Sequence, residues 1–350
     1  MKRTIRLLFF VAFAAMAAAF IGRYLIGRPF VTFCASALAL IILSKLMGDA
    51  TEQLTEHIGQ GLAGFFNVTL SNLAELIIIF VAVRSNMIEL VQAGIVGSMI
   101  GNLLLVMGLS IYVGCRKNGS LSFNPQLGTL LINQLFLVSV TLLLPTLFAD
   151  RIPANRQGTF SYLLAAMLVG AYIYYYCLSL SDKRFEKVDE QSQRLTFHWS
   201  KRFAFGILFA TAVGAFFMSE LLVGEVEHVA RVLELSPAFI GFIIVPLLGN
   251  IAEHMVGVVA AYKKMTELSL TMSVGSASQV GMVVAPCAVL FGYLTGNPIT
   301  LNFTGLPIQL LVISIVGAIV VLRDSAWHKS EGVMMIALYA VIVIAFMFCL

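Results

Sequence analysis

The chain has 350 residues, of which 59% are hydrophobic and only 11% are charged, and its mean hydropathy is +0.94. A soluble domain needs a largely polar surface, so this composition excludes one and predicts a protein that crosses a membrane several times. The formal charge of +4 comes from Lys and Arg scattered at the ends of apolar runs, which excludes a nucleic-acid-binding stripe.

Eleven apolar runs are long enough to span a bilayer, since one helical span needs about 20 residues. They cover residues 5–22, 30–48, 60–83, 88–114, 126–149, 159–181, 202–223, 236–262, 268–295, 303–322 and 332–350. The runs predict an all-α membrane protein with about eleven transmembrane helices. Little chain is left between them for an aqueous domain.

The first run follows Met1-Lys2-Arg3 and contains residues 17–19, three alanines. This pattern is typical of a cleaved secretory signal peptide as well as of a retained helix, and both interpretations stay open. A retained helix keeps the rest of the topology consistent. We therefore interpret residues 1–29 as an N-terminal transmembrane helix.

One four-residue motif occurs twice inside the predicted spans, as residues 72–75 (NLAE) and residues 250–253 (NIAE). The copies are 178 residues apart, and a Gly-Ser pair at 97–98 recurs at 275–276 with the same offset. An offset that is kept across two motifs indicates an internal repeat.

The repeat divides the other ten helices into two sets of five, residues 30–181 and residues 202–350, joined by a hydrophilic segment at 182–201 that we interpret as a cytoplasmic linker. Because five is odd, the second set enters the membrane from the opposite side, and the sequence predicts two inverted repeats. Glu75 and Glu253 then lie somewhat past the midplane from their own entry sides. On antiparallel helices we expect them to lie near one another.

Positive charge indicates the orientation of the spans. With the N-terminus in the cytoplasm, sixteen of the 22 Lys and Arg residues fall on the cytoplasmic side, and the other six are Arg23, Arg28, Arg84, Arg151, Arg156 and Arg231. The C-terminus is therefore expected outside. The localisation that we expect is the plasma membrane of a prokaryote.

The repeated motif supplies oxygen ligands. Asn72 shares a helix face with Glu75, and Asn250 shares one with Glu253, because residues three apart are neighbours on a helix. Ca²⁺ takes six to eight oxygen ligands. The helices with the Gly-Ser pair supply further candidate ligands: Ser98, Asn102, Ser276 and Gln279.

Protons are expected to compete with the cation for the same carboxylates. When the cation leaves, two neighbouring carboxylates repel each other and are poorly solvated, so they take up protons. His254 adjoins Glu253 and carries a side chain that titrates near neutral pH in water. We predict that Glu75, Glu253 and His254 couple transport to protons, with a buried, hydrogen-bonded histidine as the alternative for His254.

Acidic residues near the ends of two spans are interpreted as solvated rims, with an ion vestibule as the alternative. Near the inner end of the predicted third span lie His57, Asp49, Glu52 and Glu56, and a comparable outer rim contains Glu220, Glu225 and Glu227.

The repeated NxxE motif, the Ala252-Glu253-His254 ending and the Gly-Ser segments resemble the two α-repeats of the Ca²⁺/H⁺ antiporter (CAX) branch of the calcium/cation antiporters. The resemblance covers most of the chain. It implies proton-driven exchange of Ca²⁺ by alternating access across a lipid bilayer, with Ca²⁺ and H⁺ as substrates and no cofactor. The positions that match the motifs of the family as cation ligands are Glu75, Glu253, Asn72, Asn250, Ser98, Asn102, Ser276 and Gln279.

Two departures from the family pattern predict incomplete symmetry. Ser71 stands where the family often has glycine, whereas Gly249 keeps it in the second copy, three residues after Pro246. A break or bend is therefore expected in the second motif helix and a less sharp one in the first. Position 280, which is 178 residues after Asn102, is valine, and Gln279 is the nearest amide.

Three other functions were weighed against the sequence: a Na⁺-driven exchanger, a cation channel and an enzyme. A Na⁺-driven exchanger is the main alternative, although both copies have alanine before the glutamate where such exchangers usually have proline. A cation channel would need a filter around an oligomer axis, and no pore-loop pattern is present. An enzyme is not expected, since the sequence has neither an HExxH motif nor a nucleophile elbow. The sequence leaves a homo-oligomer open.

Overall fold

The computed structural model describes residues 2–55, 57, 70, 72–181, 199–303 and 305–349. Helices occupy almost all of this part of the chain, and each predicted apolar run corresponds to one of them. In chain order they are α1 (Lys2–Ile21, continued by the π-helical turn Gly22–Ile26), α2 (Pro29–Thr55), α3 (Leu73–Arg84), α4 (Ile88–Asn118), α5 (Pro125–Leu147), α6 (Ala154–Ser181), α7 (Lys201–Leu233), α8 (Pro237–Tyr262), α9 (Thr266–Thr295), α10 (Leu306–Leu322) and α11 (Lys329–Cys349).

Most of these helices can cross a bilayer. Within the described residues, nine are long and apolar enough by length and composition, and α10 is a shorter apolar helix of 17 residues. The structure describes 12 residues of α3, because most of the first half of the predicted third span lies outside the described residues. The prediction of an all-α membrane protein with about eleven helices is confirmed.

The helices pack into two compact units. The first combines Met1–Gly94 with Phe197–Ala252, and the second combines Ile95–Thr196 with Glu253–Leu350. Each unit therefore contains segments from both halves of the sequence, and the boundaries fall inside α4 and α8.

In the first unit, α2 packs extensively against α7 and also against α1. Small residues allow close packing of membrane helices, and α1 buries Ala12, Ala15 and Ala19 at spacings of three and four. The beginnings of α4 and α8 also touch. A side chain at Gly241 would place its Cβ only 2.6 Å from the carbonyl oxygen of Leu90.

Two ion pairs attach α7 to other segments of the first unit, and a third lies within α2. Arg23, in the turn after α1, pairs with Glu225 on α7, and Arg84, at the end of α3, pairs with Glu220 on the same helix. Asp49 pairs with Lys45 one turn away on α2. The prediction of a solvated rim is wrong for Glu225. This residue is only 3% exposed and pairs with Arg23.

In the second unit, α9 packs against α5 and α6, and α11 packs against the last part of α4. A short antiparallel ladder joins strand β1 (Leu121–Ser122) to strand β2 (Ala326–Trp327). The Cys115 thiol donates to the carbonyl oxygen of Trp327 at 3.2 Å, and the Phe123 ring packs on the buried indole. These contacts fix the connections that follow α4 and α10.

The predicted linker at 182–201 lies largely outside the described residues. Its last part is attached to the end of α2. The Trp199 amide donates to Gln53 Oε1 at 2.8 Å, and its carbonyl oxygen lies 2.8 Å from His57 Nε2.

We expect Gly241→Ala to destabilise the protein, because the new methyl group would press on the backbone of Leu90. Overpacking of this kind costs about 1–3 kcal/mol. Thermal unfolding of the purified variant in detergent should show a lower midpoint than wild type. Gly206→Ala on α7 is the matched control, since nothing lies within 4 Å of its Cβ position; equal midpoints for the two variants would contradict the packing assignment.

Candidate functional site

The first copy of the motif lies at the beginning of α3. Asn72 precedes the helix with φ −86° and ψ 10°, and its carbonyl oxygen accepts from the Leu76 amide at 2.9 Å. Glu75 is in the first turn and is fully buried, with 0% exposure. The first N–H groups of a helix lack intrahelical acceptors and form the positive end of its dipole. The beginning of α3 thus stabilises a negative charge on Glu75.

The second copy contributes directly to the surroundings of Glu75. Asn250 on α8 is 1% exposed and donates from Nδ2 to Glu75 Oε2 at 2.9 Å. From the sequence we expected each asparagine to lie beside the glutamate of its own motif. This hydrogen bond instead joins the second copy of the motif to the first. The first unit therefore contains the Glu75 carboxylate bonded to Asn250 of the second motif, with Asn72 of the first motif three residues before Glu75.

Gly249 allows α3 and α8 to approach closely enough for the hydrogen bond between Asn250 and Glu75. A Cβ at Gly249 would lie 3.0 Å from Glu75 Cβ and 3.2 Å from its Cα, so any side chain would push the two helices apart. The Gly249 carbonyl oxygen accepts from the hydroxyl of Ser44 on α2 at 2.6 Å. The sequence gives no signal for this role of Ser44.

The structure describes the helix geometry of the second motif copy in full and that of the first only in part. Of the break or bend expected in the second motif helix, the structure shows no break: α8 is one continuous helix from Pro237 to Tyr262, with Pro246 inside it. The described helix of the first copy begins only at Leu73, while Ser71 lies outside the described residues. One proline removes a single hydrogen bond, which a long packed helix tolerates, and Gly249 serves a close contact instead of a break.

The second unit gathers polar side chains around Glu253. The Ser276 hydroxyl donates to Glu253 Oε2 at 3.1 Å, and Asn102 Nδ2 reaches Ser276 Oγ at 3.4 Å. Asn102 is fully buried, and its Oδ1 accepts no hydrogen bond within the described part of the chain. Hydrogen bonds thus link Asn102 on α4 to Ser276 on α9, and Ser276 to the Glu253 carboxylate.

The other two predicted ligands of the second unit are neighbours of Asn102 and Ser276 along their helices. Ser98 is fully buried one turn before Asn102 on α4. Gln279 follows Ser276 by three residues on α9 and is partly exposed.

π-helical turns surround these polar residues. In α4 the segment Gly101–Val106, which contains Asn102, is π-helical, and in α9 the segments Thr271–Gly275 and Val280–Val284 flank the single α-helical turn Ser276–Gln279. Such turns change the i→i−4 pattern of backbone hydrogen bonds and occur frequently at functional sites. They were not predicted from the sequence.

The offset between the repeats contains a signal for these turns. It is 178 between the serines Ser98 and Ser276 but 177 between the amides Asn102 and Gln279. A wider helical turn accommodates one extra residue. The shift therefore falls where the structure has π-helical geometry.

His254 lies next to Glu253 on α8 but about 100° away around the helix. Its Nε2 is buried and has no hydrogen-bond partner among the described residues. This side chain is therefore open at one nitrogen to a proton donor or acceptor.

The two clusters are suited to a hard cation or to protons. Each contains a carboxylate that accepts a hydrogen bond from an uncharged side chain, Asn250 or Ser276. Oxygen ligands of this kind favour Ca²⁺ over soft metals. Within the described residues no three His, Cys, Asp or Glu side chains form a cluster that could hold a metal ion.

Known proteins are similar in sequence to most of this chain. The family model described as sodium/calcium exchanger protein matches residues 28–181 and 203–348. The Ca²⁺/H⁺ antiporter of Synechocystis sp. is 31% identical, with 90% of each chain covered. The Ca²⁺/H⁺ antiporter ChaA of Bacillus subtilis is 29% identical over 97% of this chain and 99% of the relative.

The fold of this protein is also similar to that of a solved structure. The structure described as native YfkE is 28% identical and has a TM-score of 0.84, covering 97% of this chain and 99% of that one. The match of the family model to both halves, together with the Synechocystis relative, shows the family. This chain belongs to the sodium/calcium exchanger protein family.

Proposed function

We propose that the protein is a secondary antiporter that exchanges Ca²⁺ for H⁺ across the membrane by alternating access. The observation that carries this proposal is the repeated glutamate with a polar partner in each copy: Glu75, fully buried, accepts from Asn250, and Glu253, partly buried, accepts from Ser276. The names of the Synechocystis and Bacillus relatives, both Ca²⁺/H⁺ antiporters, support it.

In this mechanism Glu75 and Glu253 hold cation and protons in turn. An ionised carboxylate without a compensating charge is costly in a low-dielectric interior. One Ca²⁺ neutralises two carboxylates, and two protons neutralise them equally well. The carboxylates can therefore pass between the two accessible states with their charge compensated in either direction of the exchange.

Neutral oxygen atoms complete the ligand set in this proposal. Asn72 and Asn250 supply amide oxygens beside Glu75, and Ser98, Asn102, Ser276 and Gln279 supply hydroxyl and amide oxygens on the side of Glu253. The amide and hydroxyl that now donate to the carboxylates would turn their oxygens to the cation. We assign His254 to proton coupling, on the basis of its open Nε2 beside Glu253.

The topology follows from the distribution of positive charge. We place the N-terminus in the cytoplasm and the C-terminus outside, since sixteen of the 22 Lys and Arg residues then lie on the cytoplasmic side. The bacterial relatives support a plasma-membrane localisation.

Glu75→Gln and Glu253→Gln should each abolish proton-driven Ca²⁺ transport, because glutamine can neither ionise nor carry the proton. Ca²⁺ uptake into inverted membrane vesicles under an imposed pH gradient measures this. Glu89→Gln is the control, since Glu89 is an exposed carboxylate in the first turn of α4.

The same assay distinguishes the two coupling ions. Uptake without Na⁺ on either side is expected to equal uptake with Na⁺. Near-normal transport by either glutamine variant at equal membrane abundance would refute the site, and a strict need for a Na⁺ gradient would favour the Na⁺-driven alternative.

Ser276→Ala should weaken apparent Ca²⁺ affinity about ten-fold, or about 1.4 kcal/mol, because the cation loses the hydroxyl oxygen that we propose as one of its ligands. Ser278→Ala is a matched control two residues away: Ser278 is equally buried, but its hydroxyl donates to the carbonyl oxygen of Val274 in its own helix. The Ca²⁺ concentration for half-maximal uptake measures the effect. The assignment of Ser276 fails if both alanine variants shift this concentration equally.

A further inference from the structure

Ser44 on α2 makes a contact that differs from those of other hydroxyls on this helix. Its side chain is buried, and its Oγ donates to the Gly249 carbonyl oxygen on α8 at 2.6 Å. Ser36, two turns earlier and also buried, donates to the Thr32 and Phe33 carbonyl oxygens of its own helix. Serine in a helix commonly bonds back to its own preceding turn, so the bond of Ser44 to another helix is a tertiary constraint.

This constraint acts on the residue that touches Glu75. The Cβ position of Gly249 lies 3.0 Å from Glu75 Cβ, and the next residue, Asn250, donates to the Glu75 carboxylate at 2.9 Å. All four residues lie in the first compact unit. The position of the Gly249 backbone therefore determines how the Asn250 amide meets the carboxylate.

The backbone of α8 has one fewer internal hydrogen bond just before this point. Pro246 lacks an N–H and cannot donate to the carbonyl oxygen of Phe242, which weakens the helix one turn ahead of Gly249. Helices bend where their internal hydrogen-bond pattern is interrupted. A hydrogen bond from a neighbouring helix restrains such a segment.

We propose that Ser44 is a positioning residue for the cation site, holding Gly249 so that Asn250 and Glu75 keep the geometry that binds Ca²⁺. The inference rests on the proposed Ca²⁺/H⁺ exchange. Ser44 itself does not touch the ion; its hydroxyl is used by the Gly249 carbonyl. Loss of the hydroxyl loosens the ligands and leaves the carboxylates in place.

The expected effect is therefore on affinity more than on maximal rate. Without the hydroxyl, the KM for Ca²⁺ should rise about five-fold, which corresponds to the ~1 kcal/mol that one buried hydrogen bond contributes. The maximal uptake rate should stay within about two-fold of wild type, because the proton-carrying glutamates are unchanged.

The test compares Ser44→Thr with Ser44→Val in inverted vesicles under a pH gradient. The two side chains have the same shape, and only threonine keeps the hydroxyl. We expect the Thr variant to keep the wild-type KM and the Val variant to show the raised KM. Ser44→Ala should behave like the Val variant, and Ser36→Ala should behave like wild type.

Several outcomes would overturn the inference. Equal KM values for the Thr and Val variants, or a loss of maximal rate without a change in KM, would show that the hydroxyl does not position the site. Failure of both variants to assemble in the membrane would show that shape alone matters at this position. Absence of pH-driven Ca²⁺ uptake by the wild-type protein would instead refute the proposed function.

Discussion

The structure depends on the cost of burying carboxylates within a membrane protein. Glu75 is fully buried in the first turn of α3, and its carboxylate accepts a hydrogen bond from the amide of Asn250 in the other copy of the motif. A buried carboxylate needs hydrogen bonds or a compensating charge. The Asn250 amide compensates the negative charge of the Glu75 carboxylate in part. A bound cation or a proton can compensate the rest.

Close helix packing makes these hydrogen bonds geometrically available. Gly249 allows α8 to approach the backbone of Glu75, and Gly241 allows the beginnings of α8 and α4 to touch. In the second unit a Cβ at Gly281 would lie 2.3 Å from Val138 Cγ1, so α9 also needs a glycine beside its polar turn. The polar side chains reach their partners because these positions carry no side chain.

The sequence predicted the helices and most of the candidate site. Apolar runs, and repeated motifs such as the two NxAE segments, can be recognised directly in the sequence. The partner of Glu75 was missed, because spacing along one helix suggests Asn72 and says nothing about Asn250 on another helix. Ser44 was missed for a similar reason, since a single serine in an apolar run carries no pattern. The π-helical turns near Asn102 and Ser276 depend on tertiary packing, and their only trace in the sequence is a one-residue change in the repeat offset.

The central claim is that Ca²⁺ and protons compete for Glu75 and Glu253, and proton release on Ca²⁺ binding tests it most directly. Ca²⁺ is added to the purified protein in weakly buffered detergent solution, and the change in pH is recorded. We expect wild type to release protons and the double variant Glu75→Gln/Glu253→Gln to release none. Saturable Ca²⁺ binding by the wild-type protein without proton release, at a pH where exchange occurs, would contradict the account.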